Sequence, residues 1–469
     1  MAWRRGRSSL GRVTAALAVS LGLATVATVA TVAAAGSGRG TAERDISRVA
    51  GAQDEATITV DPRNDRILLA GSNSFREGTM RVYSSTDGGF TWTSSHLYPP
   101  RQSFLASCAS DPGVAIDTRG REYYSFIRTD PCRTGKPRLY VSSRAGPRAA
   151  WGTPVLVSPL PKTALLDDKP SIAVDTSPAG PHRNRVYVAW SRLSLQTTFG
   201  IRLSSSDDGG RTWSRPAPVS RTGVEETYSS VAVSNTGIVY VGWDDASTYT
   251  LKIARSTDGG AHFGPERKAA SFSIVPIPHC GSGTVIPAQL LTCVHANPIV
   301  TVDRSRGPRS GRVYLSYVRT NINGVEGIFV TTFDSNLRLL RGSANSQPRF
   351  PVAPSAVDSD RFWPASAVDP SDGALWICFY DSLGDRTRRR VHYSCTASTN
   401  GGRTWRRAVR AASVASDETG KSADARQYGD YEGLAVANGV AHPIWTDSRR
   451  LPTLGEEIYT ARLTLSDLR

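Results

Sequence analysis

One octapeptide recurs along the chain, as Ser85-Thr86-Asp87-Gly88-Gly89-Phe90-Thr91-Trp92, as Ser206-Asp207-Asp208-Gly209-Gly210-Arg211-Thr212-Trp213 and as Ser398-Thr399-Asn400-Gly401-Gly402-Arg403-Thr404-Trp405. A fourth copy, Ser256 to Phe263, keeps Asp258 and both glycines but ends in His262-Phe263. Repetition of this kind implies supersecondary units that cannot bury their apolar faces alone and must stack on one another. The glycines permit a tight turn at positive φ, the acidic side chain can accept hydrogen bonds from that turn, and Trp can bury its ring between strands. Asp87, Asp208, Asp258 and Asn400 therefore read as structural staples between a third and a fourth strand.

A second phrase is easier to count: a short β-branched strand ending in Asp, a polar turn, then an aromatic-rich strand. It occurs seven times, anchored at Asp61, Asp117, Asp175, Ser234, Asp303, Asp369 and Asn438, at intervals of 56, 58, 59, 69, 66 and 69 residues. That interval fits four strands and their turns. Alternating polarity, Gly and Pro punctuation and the lack of any long 3.6-residue period predict an all-β chain. Four-stranded antiparallel sheets repeated radially make a β-propeller, here of seven blades. After Asn438 only two more strands follow, so the seventh sheet is one strand short, and a strand within Ala42 to Gly51 is expected to complete it.

The first 35 residues stand apart. Arg4, Arg5, Arg7 and Arg12 precede an uninterrupted weakly polar to apolar run from Val13 to Ala35, ending in three alanines. This reads as an export signal, with an uncleaved N-terminal membrane anchor as the alternative. Residues 36–52 then form a linker carrying the closing strand, and residues 53–469 the repeat domain. Without the leader's four arginines the formal charge falls from +15 to +11, and the basic residues are interspersed with acids except at Arg386 to Arg390. That run reads as a solvated loop and not as a nucleic-acid site. Six cysteines in a secreted chain suggest disulfides. Their spacing suggests Cys108 with Cys132, Cys280 with Cys293 and Cys378 with Cys395, although six cysteines allow fifteen pairings.

Four-stranded meanders impose a parity on their loops. Turns joining strands one to two and three to four, the octapeptides included, lie on one face; turns joining two to three, and one sheet to the next, lie on the other. A site at the central mouth would be built on that second face. Before the seven first strands stand Asp54 and Glu55; Ser110 and Asp111; Asp167, Asp168 and Lys169; Glu225, Glu226 and Tyr228; His295 and Asn297; Asp360, Arg361 and Trp363; and Asp430, Tyr431 and Glu432. After the second strands come Asn73, Arg128, Arg192, Asp244, Asp245, Arg319, Asp381, Asp447 and Arg449. Polar residues converging on one end of an apolar scaffold suit a pocket for a polar ligand. A carboxylate-rich mouth could also hold Ca²⁺, which takes about six to eight oxygens, but no ligand loop of known spacing is present and no cofactor is otherwise required. Metalloprotease, α/β-hydrolase and P-loop motifs are absent.

The octapeptide pattern S-x-D-x-G-x-T-W resembles the Asp-box, or bacterial neuraminidase repeat, and with strands spread over Ala56 to Leu463 the chain is similar to the sialidase-like propellers. That superfamily hosts hydrolases and non-catalytic receptors alike, so the motif specifies fold more than reaction. By resemblance, a sialidase would use an Arg cluster for the sugar carboxylate, a Tyr nucleophile activated by Glu, and an Asp acid/base. Position on the mouth face offers Arg128, Arg192, Arg319, Arg361 and Arg449; Tyr431 or Tyr228; Glu432 or Glu226; and Asp54, Asp111 or Asp168, with Asp430 adjacent. The chain departs from the sialidase pattern in lacking a Phe/Tyr-Arg-Ile-Pro element before the first repeat, where Gln53-Asp54-Glu55-Ala56 stands, and in counting seven units where sialidases have six; a six-bladed propeller is the alternative architecture. Two functions follow: a secreted, monomeric exo-α-sialidase-like glycoside hydrolase acting on a glycan or glycoconjugate, or a non-catalytic propeller binding glycans or cell-surface proteins.

Overall fold

A computed structural model describes residues 43–97, 108–129, 135–162, 164–178, 180–194, 199–221, 225–272, 283–321, 323–340, 352, 358–419, 428–451 and 453–468, within the unit Thr41–Arg469. Among these residues every named element is a strand, and every pairing is antiparallel. The expected export segment, Cys132 and Cys280 lie outside the described residues, as does the side chain of Cys108.

Each repeat forms a sheet whose strands pair in chain order. The innermost strands are Thr57–Asp61, Cys108–Ile116, Ala164–Val174, Glu226–Val233, Ile299–Val302, Arg361–Val368 and Gly433–Ala437. They touch one another in that order, and the last touches the first. The sheets are numbered here by these strands. In the first, second, third, fourth and sixth, three further strands follow outward. The fifth sheet has three strands, its outer edge reduced to a bridge between Phe333 and Leu339. A separate hairpin, Thr284–Ile286 with Gln289–Val294, precedes it and was not visible in the repeat count.

The core lies between sheets, because neither face of a single sheet can be buried by the sheet itself. Tyr187, Ala189 and Leu203 of the third sheet pack with Val231, Val241 and Trp243 of the fourth. The same arrangement joins last to first, where Ala435, Ile444 and Ile458 meet Ala56, Ile58 and Leu68. Closure is also made by hydrogen bonding between the two ends of the chain: strand Arg44–Asp45 pairs with Glu457–Thr460, so the seventh sheet draws its outer strand from the start of the described chain. Cys378 and Cys395 stand opposite each other on paired strands of the sixth sheet and form a disulfide, with Cα atoms 4.0 Å apart. Cys293 is also disulfide-bonded.

The octapeptides repeat their geometry copy by copy. Asp208 Oδ1 accepts the N–H groups of Arg211 and Thr212, each at 2.9 Å, while the Thr212 hydroxyl donates to Oδ2 at 2.6 Å. Gly209 and Gly210 sit at φ 77° and 85°, which L side chains adopt only under strain. Asn400 accepts the same two backbone bonds and turns its amide to Thr404 Oγ1 at 2.7 Å. Each turn also touches the preceding sheet: Ser143 Oγ donates to Gly209 O at 3.1 Å, and Arg185 donates to Gly259 O at 3.0 Å. These turns share their face with the strand one-to-two turns, where Asp61, Asp117, Asp175, Asp303 and Asp369 each accept the N–H two residues on at 2.8–2.9 Å.

Two outcomes test this packing. A Cβ added at Gly242 would stand 2.6 Å from Val300 Cγ2 and 3.1 Å from Leu315 Cδ1 of the next sheet. Gly242→Ala is expected to cost about 1–3 kcal/mol, read as a lower urea midpoint with unchanged slope; an unaltered midpoint would show that the sheets are not so tightly apposed. Asp208→Asn is expected to keep most of the stability that Asp208→Ala loses, about 1 kcal/mol by comparison with helix caps, since Asn400 already makes the same backbone bonds. Equal losses in thermal unfolding would contradict that role.

Candidate active site

Four innermost strands break register near their starts, between Ser110 and Gly113, Asp168 and Ser171, Thr227 and Ser230, and Phe362 and Ala365. At each break one residue adopts left-handed backbone: Asp111 (φ 60°), Lys169 (50°), Tyr228 (53°) and Trp363 (46°). Glu55 (54°) and Asn297 (39°) do the same just before the first strands of the first and fifth sheets. Such a conformation costs a non-glycine residue roughly 1–2 kcal/mol. Strain repeated at six equivalent places on one face is the kind that marks a functional site. Asp111, Lys169, Asn297 and Trp363 each precede proline, which is the sequence signal that could have located them.

These bulges re-aim side chains into one cluster at the end of a central channel of about 430 Å³. The innermost strands wall the channel; Lys169, Tyr228, Asn297 and Tyr431 stand at its mouth, and Pro62, Thr176 and Arg304 belong to the opposite face. Lys169 Nζ forms ion pairs with Asp430, with Glu55 Oε1 at 3.4 Å and with Asp111 Oδ2 at 3.9 Å. The rings of Tyr228 and Tyr431 lie 5.6 and 5.7 Å from the same ammonium. Asn73 ties the acids together, donating to Asp54 Oδ1 at 2.7 Å and Glu55 Oε2 at 2.9 Å while accepting the Asp111 N–H at 3.1 Å. Lys169 N donates to Asp111 Oδ2 at 3.1 Å, and Asn297 donates to the Asp430 carbonyl at 3.0 Å. His295 places its ring 5.0 Å from that of Tyr228.

Too much negative charge is gathered here for all of it to stay ionised. Burial raises Glu55 to about 8, against the pull of Lys169 and with added repulsion from Asp111 and Asp430. Asp168 rises to about 7 by burial and by Asp111 beside it. Burial opposes the Lys169 charge, but Asp111, Asp430 and Glu55 outweigh it and hold the ammonium well above its usual range. The His295 imidazole is pushed down to about 4 by burial.

The mouth gathers Asp111, Asp168, Asp430, Tyr228 and Tyr431 from the sequence-derived candidates, together with Glu55, Lys169, Asn73 and Asn297, which loop parity had placed on this face without a role. Tyr431 and Glu432 are not joined. The Tyr431 hydroxyl has no hydrogen-bond partner, and burial together with Glu55 and Asp111 drives its phenol well above the usual range. Glu432 instead pairs with the buried Tyr380 hydroxyl and accepts the Thr446 N–H at 3.0 Å. Glu226 accepts from Trp243 Nε1 at 3.0 Å. The arginines remain in their own sheets. Arg192 forms a two-pronged pair with Asp167 at 2.6 and 2.9 Å, Arg361 meets Asp381 at 3.2 Å, and Arg449 pairs with Asp447 and Glu43. Arg319 lies over Phe329, and Arg128 stands opposite Arg138 in the second sheet. Among the described residues no group of three or more His, Cys, Asp or Glu is arranged to hold a metal ion, and no helix is long and apolar enough to cross a membrane. At the mouth it is an ammonium on which the carboxylates converge.

Comparisons with known proteins place this architecture. No protein-family model matches the chain. A sialidase of Micromonospora viridifaciens is 24% identical over 200 residues, which cover 39% of this chain and 30% of that protein. The chain thus matches less than a third of that relative's length. Among solved structures, the intramolecular trans-sialidase of Ruminococcus gnavus, in complex with oseltamivir carboxylate, superposes with a TM-score of 0.50 at 11% identity, covering 90% of this chain and 96% of that one. A Dyadobacter fermentans protein of unknown function gives 0.47 at 14% identity, covering 91% and 99%. The chain has a sialidase-like, β-propeller-type fold.

The charge at the mouth carries a pH signature. Asp168 and Glu55 bind protons more tightly folded than unfolded, so their contribution to stability is full below their unfolded values near 4. It is lost as pH rises through about 7 and about 8 respectively. The denaturant midpoint of the native chain is therefore expected to fall between pH 5 and pH 8.5, and that of Glu55→Gln to fall less. Equal pH slopes for the two proteins would contradict the arrangement.

Proposed function

We propose that this chain is an exported glycoside hydrolase of the sialidase-like type, a seven-bladed propeller closed by its own N-terminal strand and acting on terminal sugars of glycans. The observation that carries the reading is the meeting of Asp111, Asp168 and Asp430 around the Lys169 ammonium at one end of the channel, where burial and the neighbouring Asp111 raise Asp168 to about 7. Glycoside cleavage generally needs one acid to protonate the leaving oxygen and a second carboxylate facing the charge that develops on the sugar. Asp168 serves as the acid, and Asp111 and Asp430 face that charge. Tyr431, its ring 5.7 Å from the Lys169 ammonium, lies where a ring can stack on a sugar. The basic, apolar leader and the Cys378–Cys395 disulfide support export to an oxidising compartment.

The narrower exo-α-sialidase reading requires arginines for a substrate carboxylate. Arg192, Arg361 and Arg449 already hold carboxylates of the chain itself. That commitment favours a second reading, a propeller that binds a glycan through the same mouth without turnover.

The test is a panel of fluorogenic glycosides, sialosides, neutral sugars and amino sugars included, with the purified chain. Turnover is expected, reduced about 10²–10⁴-fold in kcat/KM by Asp168→Asn, the range for loss of a general acid. Asp208→Asn, on the opposite face, is expected to leave kcat/KM unchanged. Absence of turnover across the panel would sink the hydrolase reading, and glycan retention without turnover would carry the second.

A further inference from the structure

The charge balance of the mouth selects among sugars. Glu55, Asp111, Asp168 and Asp430 arrive from four different sheets, and Lys169 supplies the one ammonium among them. Acceptor capacity is left over: Asp430 Oδ1, beside Lys169, has no hydrogen-bond partner. A buried carboxylate oxygen without a donor costs free energy that an incoming N–H can recover. The two tyrosine rings beside Lys169 offer π faces that attract a cation and repel an anion. Arg192, Arg361 and Arg449, which could grip a carboxylate, are bound to carboxylates of the chain itself.

We propose that the mouth is specific for a sugar bearing a free ammonium group, a hexosamine unit, and discriminates against sugars bearing a carboxylate. The proposal rests on the mouth being the sugar site, as argued above. The ligand ammonium takes Asp430 Oδ1, sharing the acidic cage with Lys169. The groups it faces are Glu55 from the first sheet, Asp111 from the second, Asp168 and Lys169 from the third, Tyr228 from the fourth, His295 from the segment before the fifth, and Asp430, Tyr431 and Glu432 from the start of the seventh. Entry of a second positive charge favours ionisation of Glu55 and Asp168, so binding releases protons.

Titration calorimetry at pH 7 with methyl glucosaminide, methyl glucoside, methyl N-acetylglucosaminide and N-acetylneuraminate provides the test. The glucosaminide is expected to bind about tenfold or more tightly than the glucoside and the N-acetylated sugar, the scale of one charge-assisted hydrogen bond. N-acetylneuraminate is expected to bind most weakly, and the heat for the glucosaminide to depend on buffer ionisation enthalpy in the direction of proton release. The ranking within the native chain is the primary readout; Asp430→Asn should narrow it. Preference for N-acetylneuraminate, equal binding of glucoside and glucosaminide, or no binding of any sugar would overturn the proposal. The glycoside panel separates the two readings: turnover of sialosides would leave the hydrolase standing and this specificity refuted, whereas selective glucosaminide binding without turnover would do the reverse.

Discussion

The ammonium of Lys169 is the point on which the mouth of this molecule depends. Carboxylates delivered by the first, second and seventh sheets meet it, and a fourth, Asp168, precedes it in its own strand. Without a cation the buried acids would repel one another at the place where the sheets come closest. With it, sheets far apart in sequence are tied at one end, and the remaining charge imbalance is met by protons on Glu55 and Asp168. The same imbalance gives the site its chemistry, since a carboxyl such as Asp168, raised to about 7 by burial and by Asp111 beside it, can act as an acid.

The two ends of the molecule divide the work. On one face the octapeptides and Asx turns satisfy their own backbone and rest on the preceding sheet; burial raises a carboxyl such as Asp208, but the hydrogen bonds from Thr212, Ser206 and Arg211 together outweigh it and hold the group at about 2. These turns are locally saturated and leave nothing for a ligand. On the other face the backbone is strained at six equivalent residues, and oxygens of Asp430 and Glu432 lack partners. The interlocking of every sheet with its neighbours, last with first, stabilises that strain.

Much of this was legible in the chain. The octapeptides and the seven Asp-anchored phrases located the sheets, since turn chemistry and strand alternation are local properties, and loop parity then selected the face. Three features lay beyond such reasoning. The bulges at Asp111, Lys169, Tyr228 and Trp363 place inside strands residues that pattern alone put before them, because a one-residue register shift leaves no period to read. The arginines could be placed on the mouth face but not assigned partners: Asp167 opposite Arg192, and Arg361 opposite Asp381, are matters of cross-strand register. Glu432 is adjacent to Tyr431 in sequence, yet successive strand residues point to opposite sides, and it reaches Tyr380 of the neighbouring sheet.

The most direct test of the account is a crystal structure of the chain soaked with methyl glucosaminide near pH 7. The account predicts the sugar at the Lys169 end of the channel, its ammonium within hydrogen-bond distance of Asp430 and its ring against Tyr431 or Tyr228. Density for the sugar among the octapeptide turns, with the mouth unchanged, would contradict it.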